Sequence, residues 1–401
     1  MNAVMYGAGN IGRGFIGLLF SKAGYKVTFI DAAADIVSGL NEGGFYPVRL
    51  LSNEKVEEFW ITGVKAVNGA NEQEVADCIA EADIMATAVG VKMLPSVAPL
   101  IAGGLRKRFR LNAAPLNIIL SENLIGAGKY LADLVKENLD AGEIKQLEGK
   151  VGFVEASIGC MVPIQTPEMQ DGNILRVCSE KYMFLPVNKD TFVGEIPKIE
   201  GMAPFSNFDF FVQRKLFIHN MGLAVCAYLG LLLGDNYIFE AAGRADILFI
   251  VQNAMLESAS ALRKKFNIQP QDLLDHMRDL LCRFNNRALK DTCARIAVDI
   301  ERKLSSGERI IGAIVCCREQ DVQPAFISIG AAAALHYIIK ERGLEQEEGN
   351  ALALIKKVSG LEKHSDEARF ILDMYLKIQR GDKLAELIQS ALFAGNKPGV
   401  I

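Results

Sequence analysis

The apolar residues of the chain follow two patterns, one in each half. In the first half, short apolar runs alternate with segments whose apolar residues recur every three or four positions. The runs "NAVMYGAG", "KVTFID", "ADIMATAV" and "NIILSEN" predict strands, and intervening segments such as "IGRGFIGLLFSKAG" predict helices. This alternation is typical of a doubly wound, largely parallel α/β sheet.

Two further stretches, "GKVGFVEASIGCMVPIQ" and "NILRVCSEKYMFLPV", indicate added strands that we expect to be antiparallel. After Phe205 helical periodicity dominates up to "KLAELIQSALF". The glycine and prolines around "KIEGMAPF" mark the best boundary. We therefore predict an α/β domain over residues 1–200 and a mostly helical domain over residues 201–401.

Composition narrows the class of protein. The chain has 401 residues, 50% of them hydrophobic and 23% charged, with a net charge of −4. It is long enough for two or three domains, and its charge does not favour nucleic acid or anionic lipid as a partner. The apolar run around "ISIGAAAALHYII", taken as the longest, is too short to span a bilayer. Eight cysteines without a C-x-x-C pair, and a start without signal-peptide features, favour a reduced, cytoplasmic protein.

The stretch "GAGNIGRG" has the G-x-G-x-x-G spacing of a dinucleotide-binding turn. It follows a predicted strand and opens a predicted helix, as a Rossmann-type fold requires. Gly7 permits the tight turn, Gly9 lets the backbone approach a pyrophosphate, and Gly12 allows close packing. Together with the free N–H groups of the helix N-terminus, the motif predicts a cofactor site formed by Gly7, Ala8, Gly9, Asn10, Ile11 and Gly12. The alternative is a structural glycine-rich turn.

Asp31 ends the next predicted strand, where a carboxylate accepts hydrogen bonds from the adenosine ribose. A carboxylate there repels a 2′-phosphate, so NAD is favoured over NADP. The alternative role of Asp31 is a helix cap. Ala88 and Val89, in "TAVG" after another strand, are expected to border the same crevice, although a plain strand-end loop fits them nearly as well.

Several blocks together resemble the polyol-specific long-chain dehydrogenases, the mannitol dehydrogenase family. They are "GAGNIGRGFIG", "PLNIILSENLIGAG", "VGFVEAS", "RKLFIHNMG" and "RKLSSGERI", in order over nearly the whole chain. The resemblance implies metal-independent hydride transfer between NAD and a sugar alcohol or its phosphate. It also implies that the Rossmann domain is followed by a helical catalytic domain.

The resemblance also implies site residues. The family places Lys-x4-Asn-x2-His on one helix, and Lys215 and Asn220 fill the first two positions. Lys215 is then the general base, Asn220 polarises the carbonyl, and Asn123 is a second substrate-side amide. At about 100° per residue on an α-helix, His219 lies roughly 40° from Lys215 and Asn220 roughly 140°. Without the family match, Lys215 would be interpreted as a surface lysine with a buried stem.

The chain departs from the family pattern in three places. Leu223 stands where the family has its histidine, and Gly159 and Cys160 replace an Asp-Arg pair. "RFNNRALKD" keeps Asn286 and Asp291 but has Arg287 for proline. His219, one turn before Leu223, is a candidate for compensation, although a lone histidine on such a face is more often structural. Arg214 and His219 are the expected positive neighbours of Lys215.

A basic cluster is the candidate substrate-anion site. It comprises Lys290, Arg302, Lys303 and Arg309, with Asn286 as a further substrate ligand. Guanidinium and ammonium groups suit a phosphate or carboxylate, whereas the alternative is a solvated helix face.

The implied substrate is a sugar alcohol phosphate, with mannitol 1-phosphate and fructose 6-phosphate as the leading pair. The rivals are a relative that acts on a hexuronate or amino-sugar derivative, and a nucleotide-binding sensor without catalysis. We expect no nucleic-acid or membrane partner, and a monomer or small homo-oligomer.

Overall fold

The computed structural model describes residues 1–345, 347–362 and 365–395. The chain forms two compact units, Met1–Phe208 and a second unit that begins at Asp209. The first unit therefore includes a strand, Met202–Phe205, that follows the predicted domain boundary at residue 200.

The first unit is built on a six-stranded parallel sheet, as predicted from the alternation of strands and helices. Its strands lie in the order β5-β2-β1-β6-β7-β8, and every neighbouring pair is parallel. They are β1 (Asn2–Tyr6), β2 (Lys26–Asp31), β5 (Lys65–Asn68), β6 (Ile84–Thr87), β7 (Leu116–Leu120) and β8 (Val151–Glu155). This order, with strand sequence reversing beside β1, is that of a Rossmann-type sheet.

The sheet is covered on both faces, because successive β1 side chains enter different cores. Ala3 and Met5 pack into one hydrophobic cluster, and Val4 and Tyr6 into the other. The helices of this unit are α1 (Gly17–Lys22), α2 (Ala34–Gly43), α3 (Glu72–Glu81), α4 (Leu94–Arg110), α5 (Ala127–Lys136), α6 (Ala141–Lys150) and α7 (Pro167–Gln170). A strand buried on both faces is apolar throughout, which explains the continuous runs in the sequence.

The added strands differ from the prediction. β3 (Phe45–Leu51) pairs antiparallel with β4 (Val56–Thr62) but parallel with β9 (Val177–Glu180). β10 (Leu185–Asn188) and β11 (Met202–Phe205) are also parallel, and β8 belongs to the main sheet. The antiparallel expectation was therefore wrong for the strand ladders of β8, β9 and β10. It holds only at an isolated antiparallel bridge between Ala156, directly after β8, and Val187 of β10.

The second unit is helical over the described residues, as predicted. Its helices are α8 (Asp209–Arg214), α9 (Met221–Leu233), α10 (Ile238–Ala242), α11 (Ala245–Phe266), α12 (Pro270–Phe284), α13 (Cys293–Ala297), α14 (Ile300–Lys303), α15 (Ile311–Glu319), α16 (Ala325–Glu341), α17 (Glu348–Ser359), α18 (Asp366–Arg380) and α19 (Leu384–Gly395). α16 is the central helix, because α9, α11 and α18 all pack against it.

The longest apolar helical stretch is not the one expected from the sequence. Of the described residues, Asp209–Leu233 alone forms a helix long and apolar enough to cross a membrane by length and composition. Yet 72% of its apolar window is buried inside the protein. Such burial is the ordinary state of a core helix in a folded domain.

Two adjacent glycines of α4 provide a test of the α3–α4 packing. A Cβ on Gly104 would lie 2.5 Å from the Cβ of Ile79, whereas a Cβ on Gly103 meets nothing within 4 Å. We expect Gly104→Ala to lower the free energy of unfolding by about 1–3 kcal/mol through overpacking. Gly103→Ala, its matched control, should raise it by up to about 1 kcal/mol, because alanine favours a helix. Denaturant titration measures both, and equal effects would contradict the packing argument.

Candidate active site

The glycine turn after β1 is held against two other strand ends. Gly7 has a φ of +103°, and its N–H donates to the carbonyl of Ile30 at 2.8 Å. A Cβ at Gly7 would lie 2.6 Å from the carbonyl oxygen of Ala88. Because β-carbons are excluded there and φ is positive, only glycine fits this position. The structure thus brings together the turn, the end of β2 and the predicted loop containing Ala88 and Val89.

The other two glycines of the motif serve different purposes. A Cβ at Gly12 would lie 1.9 Å from the carbonyl oxygen of Gly7, so Gly12 closes the turn onto the following helix. Gly9 has open space at its Cβ position, with no atom within 4 Å. A π-helical turn, Gly12–Ile16, follows, and Gly17 donates its N–H to Gly12 five residues earlier. Gly9 therefore provides a cradle that a side chain would fill.

Asp31 ends β2 beside this cradle. One carboxylate oxygen accepts the Ala8 N–H at 2.6 Å, and the other accepts the Ala33 N–H at 2.9 Å. A carboxylate has about four lone-pair sites, so both oxygens retain capacity for further donors. Asp31 is not the cap of α2, because Ala33 is its N-cap residue and no side chain caps this helix.

Glu122 is a candidate site residue that was not predicted from the sequence. Its buried carboxylate accepts the Thr87 hydroxyl at 2.6 Å and the Val89 N–H at 3.0 Å. It therefore joins the loop after β6 to the end of β7, where Asn123 follows as an exposed residue. The sequence signal is the glutamate of "SEN", which lies next to the predicted Asn123. A buried carboxylate needs N–H or O–H donors, and Glu122, two residues after the end of β7, finds them in Thr87 and Val89.

In the second unit, the candidate catalytic residues lie on a π-helical turn, Lys215–Asn220, between α8 and α9. Met221 donates its N–H to the carbonyl of Leu216, five residues earlier. In a π-helix, residues five apart lie within about 50° of each other around the axis. The α-helical estimate of a wide separation between Lys215 and Asn220 was therefore wrong. The turn presents both on nearly the same side of the helix.

Lys215 has a depressed pKa, about 8, caused first by burial and then by the guanidinium of Arg309. The expected positive neighbours were different. Arg214 has its guanidinium over the rings of Phe210 and Phe211, 5.7 Å and 4.9 Å from their centroids. Arg309 is therefore the cation that lowers the pKa of Lys215. It was not predicted, because it lies about 90 residues away in the sequence.

His219 is buried and cannot supply positive charge near neutral pH. Burial, together with the nearby cations Arg283, Lys215 and Arg309 and the second imidazole of His276, lowers its pKa well below the usual value. Its ring packs 6.2 Å from that of Phe284. The supposition that His219 is a positive neighbour was wrong. Its proposed compensation for the buried Leu223 stays a prediction.

Near the π-helical turn, three buried polar atoms on side chains other than Arg214 have no hydrogen-bond partner among the described residues. They are Nδ2 of Asn220, Oε1 of Gln213 and Nε2 of His276. Burial lowers the pKa of His276 to about 3, with Arg214 and Arg283 contributing, so its imidazole is neutral. Buried polar groups normally have partners, so these atoms are available to a ligand or to water. Gln213 and His276 were not among the predicted site residues.

The basic cluster separates into distinct roles. The Lys303 ammonium is buried and donates to the carbonyls of Ile296 and Val298. Burial and the neighbouring arginines lower its pKa to about 8. These bonds argue against Lys303 as an anion ligand. Lys290 adopts a left-handed conformation with φ of 47° as the cap of a short 3-10 turn.

Two arginines of the cluster share one carboxylate. Glu308 accepts from Arg302 at 2.7 Å and from Arg309 at 3.1 Å, and Arg302 also pairs with Asp299. Arg302 therefore already has two anionic partners, whereas Arg309 shares one. Arg309 is the stronger candidate for a substrate anion.

Two polar side chains of the block "RFNNRALKD" form hydrogen bonds or ion pairs with residues close to them in the sequence. The Asn286 side chain accepts the Ala288 N–H at 3.1 Å and caps the 3-10 turn Arg287–Leu289. Asp291 is buried and forms a two-bond ion pair with Arg295.

Gly159 and Cys160 stand where the family has an Asp-Arg pair. Cys160 is buried, and a Cβ at Gly159 would approach the Tyr182 ring at 3.2 Å. Within the described part of the chain, no three His, Cys, Asp or Glu residues are grouped to hold a metal ion.

Comparison with known proteins supports one assignment. Residues 1–201 match the family model described as the mannitol dehydrogenase Rossmann domain, and residues 207–394 match the mannitol dehydrogenase C-terminal domain. The chain belongs to the mannitol dehydrogenase family. It is 38% identical over 337 residues to a mannitol-1-phosphate 5-dehydrogenase of Brevibacillus brevis, covering 84% of this chain and 86% of that protein. The predicted family and its oxidoreductase class are confirmed.

Solved structures show the same fold. The mannitol 2-dehydrogenase of Pseudomonas fluorescens, solved as a ternary complex with NAD and D-mannitol, matches with a TM-score of 0.75. That match has 13% identity and covers 98% of this chain and 94% of the other. A D-sorbitol dehydrogenase in substrate-free form matches with a TM-score of 0.71 and 14% identity, covering 98% and 92% of the two chains.

The contrast between Gly9 and Gly12 gives a test of the cradle. Gly9→Ala should leave the melting temperature nearly unchanged, because its Cβ meets open space. It should weaken NADH binding by at least about tenfold, because the methyl group occupies the place of the pyrophosphate. Gly12→Ala should instead lower the melting temperature, because its Cβ collides with a backbone oxygen. NADH fluorescence titration and thermal melting separate the two, and full NADH affinity in Gly9→Ala would contradict the cradle.

Proposed function

We propose that this protein is an NAD-dependent oxidoreductase that interconverts a sugar alcohol phosphate and the corresponding ketose or aldose phosphate. Mannitol 1-phosphate and fructose 6-phosphate are the leading pair. The observation that carries the proposal is the depressed pKa of Lys215, on a π-helical turn that also presents Asn220. Membership of the mannitol dehydrogenase family and the name of the Brevibacillus relative support it.

The first unit has the features that an NAD site needs. The open cradle at Gly9 and the helix N-terminus after it suit the pyrophosphate. The Asp31 oxygens suit the adenosine ribose hydroxyls, and their charge disfavours a 2′-phosphate. NAD is therefore preferred over NADP. When bound, the nicotinamide supplies or accepts the hydride.

Lys215 performs the proton transfer in this proposal. A general base works best when its pKa lies near the operating pH, and about 8 meets that condition. Lys215 takes the hydroxyl proton during alcohol oxidation and returns it during ketone reduction. The Asn220 Nδ2, which lacks a partner among the described residues, is suited to donate to the substrate oxygen. No metal ion is needed for these steps.

Arg309 binds the substrate phosphate in this proposal. It is mostly buried, so a charge-assisted bond there is stronger than at an exposed site. Arg302 and Asn286 contribute less, because Asp299, Glu308 and a local turn already engage them. His219, and not the family histidine, stands beside Lys215 as a neutral imidazole.

The proposed function has two alternatives, and one experiment distinguishes the three possibilities. A relative acting on a hexuronate or amino-sugar derivative would share the NAD site, and a sensor would bind NADH without turnover. NADH oxidation by the purified protein against a panel of ketose phosphates, aldose phosphates, hexuronates and amino sugars distinguishes them. Fructose 6-phosphate is the expected substrate. We further propose a cytoplasmic monomer or small homo-oligomer.

Lys215→Met is the direct test of the general base. It keeps the apolar stem and removes the ammonium, so turnover should fall by about 10²–10⁴-fold. NADH affinity should change little, because Lys215 acts on the substrate proton. Stopped-flow and steady-state NADH assays, with fluorescence titration of NADH, measure both. A folded Lys215→Met protein with full turnover would disprove the assignment.

The pH profile of alcohol oxidation tests the link between Lys215 and Arg309. Only the neutral amine accepts a proton, so kcat/KM should rise with pH and level off above about 8. Arg309→Gln removes the neighbouring positive charge, which should raise the pKa of Lys215 and move this rise to higher pH. Arg302→Gln is the control, because Arg302 is not among the causes of the Lys215 shift. A profile that does not move in Arg309→Gln would exclude Arg309 as the cause.

A further inference from the structure

Arg13 lies beneath the glycine turn and is almost completely buried, with 4% of the residue exposed. Its Nε donates to the carbonyl of Ala8 at 2.6 Å, and its Nη1 donates to the carbonyl of Leu175. The Arg13 carbonyl in turn accepts the buried Tyr46 hydroxyl at 2.9 Å. No carboxylate of the described residues lies within ion-pair distance of the guanidinium.

A second buried arginine of the same unit shows what is missing at Arg13. Arg108 also donates only to backbone carbonyls, including those of Ala80 and Ala82 at 2.8 and 2.7 Å. Those carbonyls lie at the C-terminal end of α3, where the helix dipole is negative and offsets a cation. Arg13 instead lies within the first turn of a helix, at the positive end of the dipole. Each arginine has one carboxylate that favours its charge from beyond ion-pair distance, Asp31 for Arg13 and Asp83 for Arg108. Arg13 therefore lacks only the helix C-terminus that stabilises Arg108.

The Ala8 peptide couples this cation to the candidate nucleotide site. Its N–H donates to Asp31 and its carbonyl accepts from Arg13, so one peptide lies between a carboxylate and a guanidinium. Asp31 favours ribose hydroxyls but places a negative charge near the expected position of a pyrophosphate. A buried cation on the other side of the turn opposes that repulsion, and it acts strongly because water does not screen it.

We propose that Arg13 is the buried counter-charge of the dinucleotide pyrophosphate and makes the turn selective for diphosphate-containing ligands over nucleosides. It acts through the field across the turn and by fixing the Ala8 carbonyl, without contact with the ligand. The proposal rests on the NAD site proposed above. It differs from the glycine motif itself, which provides space and N–H groups but no net charge.

The test compares ADP-ribose, which carries the pyrophosphate, with adenosine, which does not. Calorimetric titration or competition with NADH gives both dissociation constants for the wild type, Arg13→Met and Arg13→Lys. Arg13→Met should weaken ADP-ribose binding on the order of tenfold and leave adenosine binding nearly unchanged. Arg13→Lys keeps the charge and should retain most of the preference for ADP-ribose. A merely structural role would weaken both ligands together.

Arg108→Met and Arg108→Lys are the matched controls. They remove a buried arginine with similar partners, so they should lower the melting temperature without changing the ratio of the two affinities. If Arg13→Met weakens ADP-ribose and adenosine by the same factor, so that the ratio of the two affinities equals that of the wild type, the proposal is overturned. If Arg13→Met does not fold, Arg13→Lys decides alone: a retained ratio supports the counter-charge, and a lost ratio refutes it. Failure of the wild type to bind either ligand would instead refute the NAD site.

Discussion

The ammonium of Lys215 is held where water solvates it poorly and beside the guanidinium of Arg309, and the proposed chemistry depends on this arrangement. A lysine in water binds its proton too tightly to act as a base near neutral pH. Burial penalises the charged form, and a neighbouring cation adds to the penalty. Folding of the second unit supplies the energy that holds two cations close together, with Glu308 partly neutralising Arg309. The lowered pKa is thus a property of the packed unit and not of the lysine alone.

Both candidate sites use a π-helical turn. In the first unit it follows the glycine turn at Gly12–Ile16, and in the second it spans Lys215–Asn220. A π-helical turn is less stable than an α-helical one and is often found at functional positions. In the second unit it aligns residues five apart, which an α-helix does not do. Lys-x4-Asn is then a spacing suited to this local geometry, and the proposed shared role of the two residues requires such an alignment.

The parts of the molecule that were predictable are those that local spacing encodes. The glycine motif, Asp31 and the alternating strands report directly on the turn, the strand end and the parallel sheet. The pairing of β9 with β3 was not predictable, because segments more than a hundred residues apart supply the partners. Apolar periodicity gives no sign of a shift from α- to π-helical hydrogen bonding. Similarly, the two carbonyls that bind Lys303 depend on how α13 and α14 pack, so a basic cluster in sequence did not imply a basic surface.

The carboxylate of Glu122 has a consequence for motion. It bonds the Thr87 hydroxyl and the Val89 N–H, so the loop after β6 is fastened to the end of β7 at two points. Neither loop can swing outward by itself without leaving a buried carboxylate short of donors. The two loops must therefore open as one body, or the opening must first break both bonds.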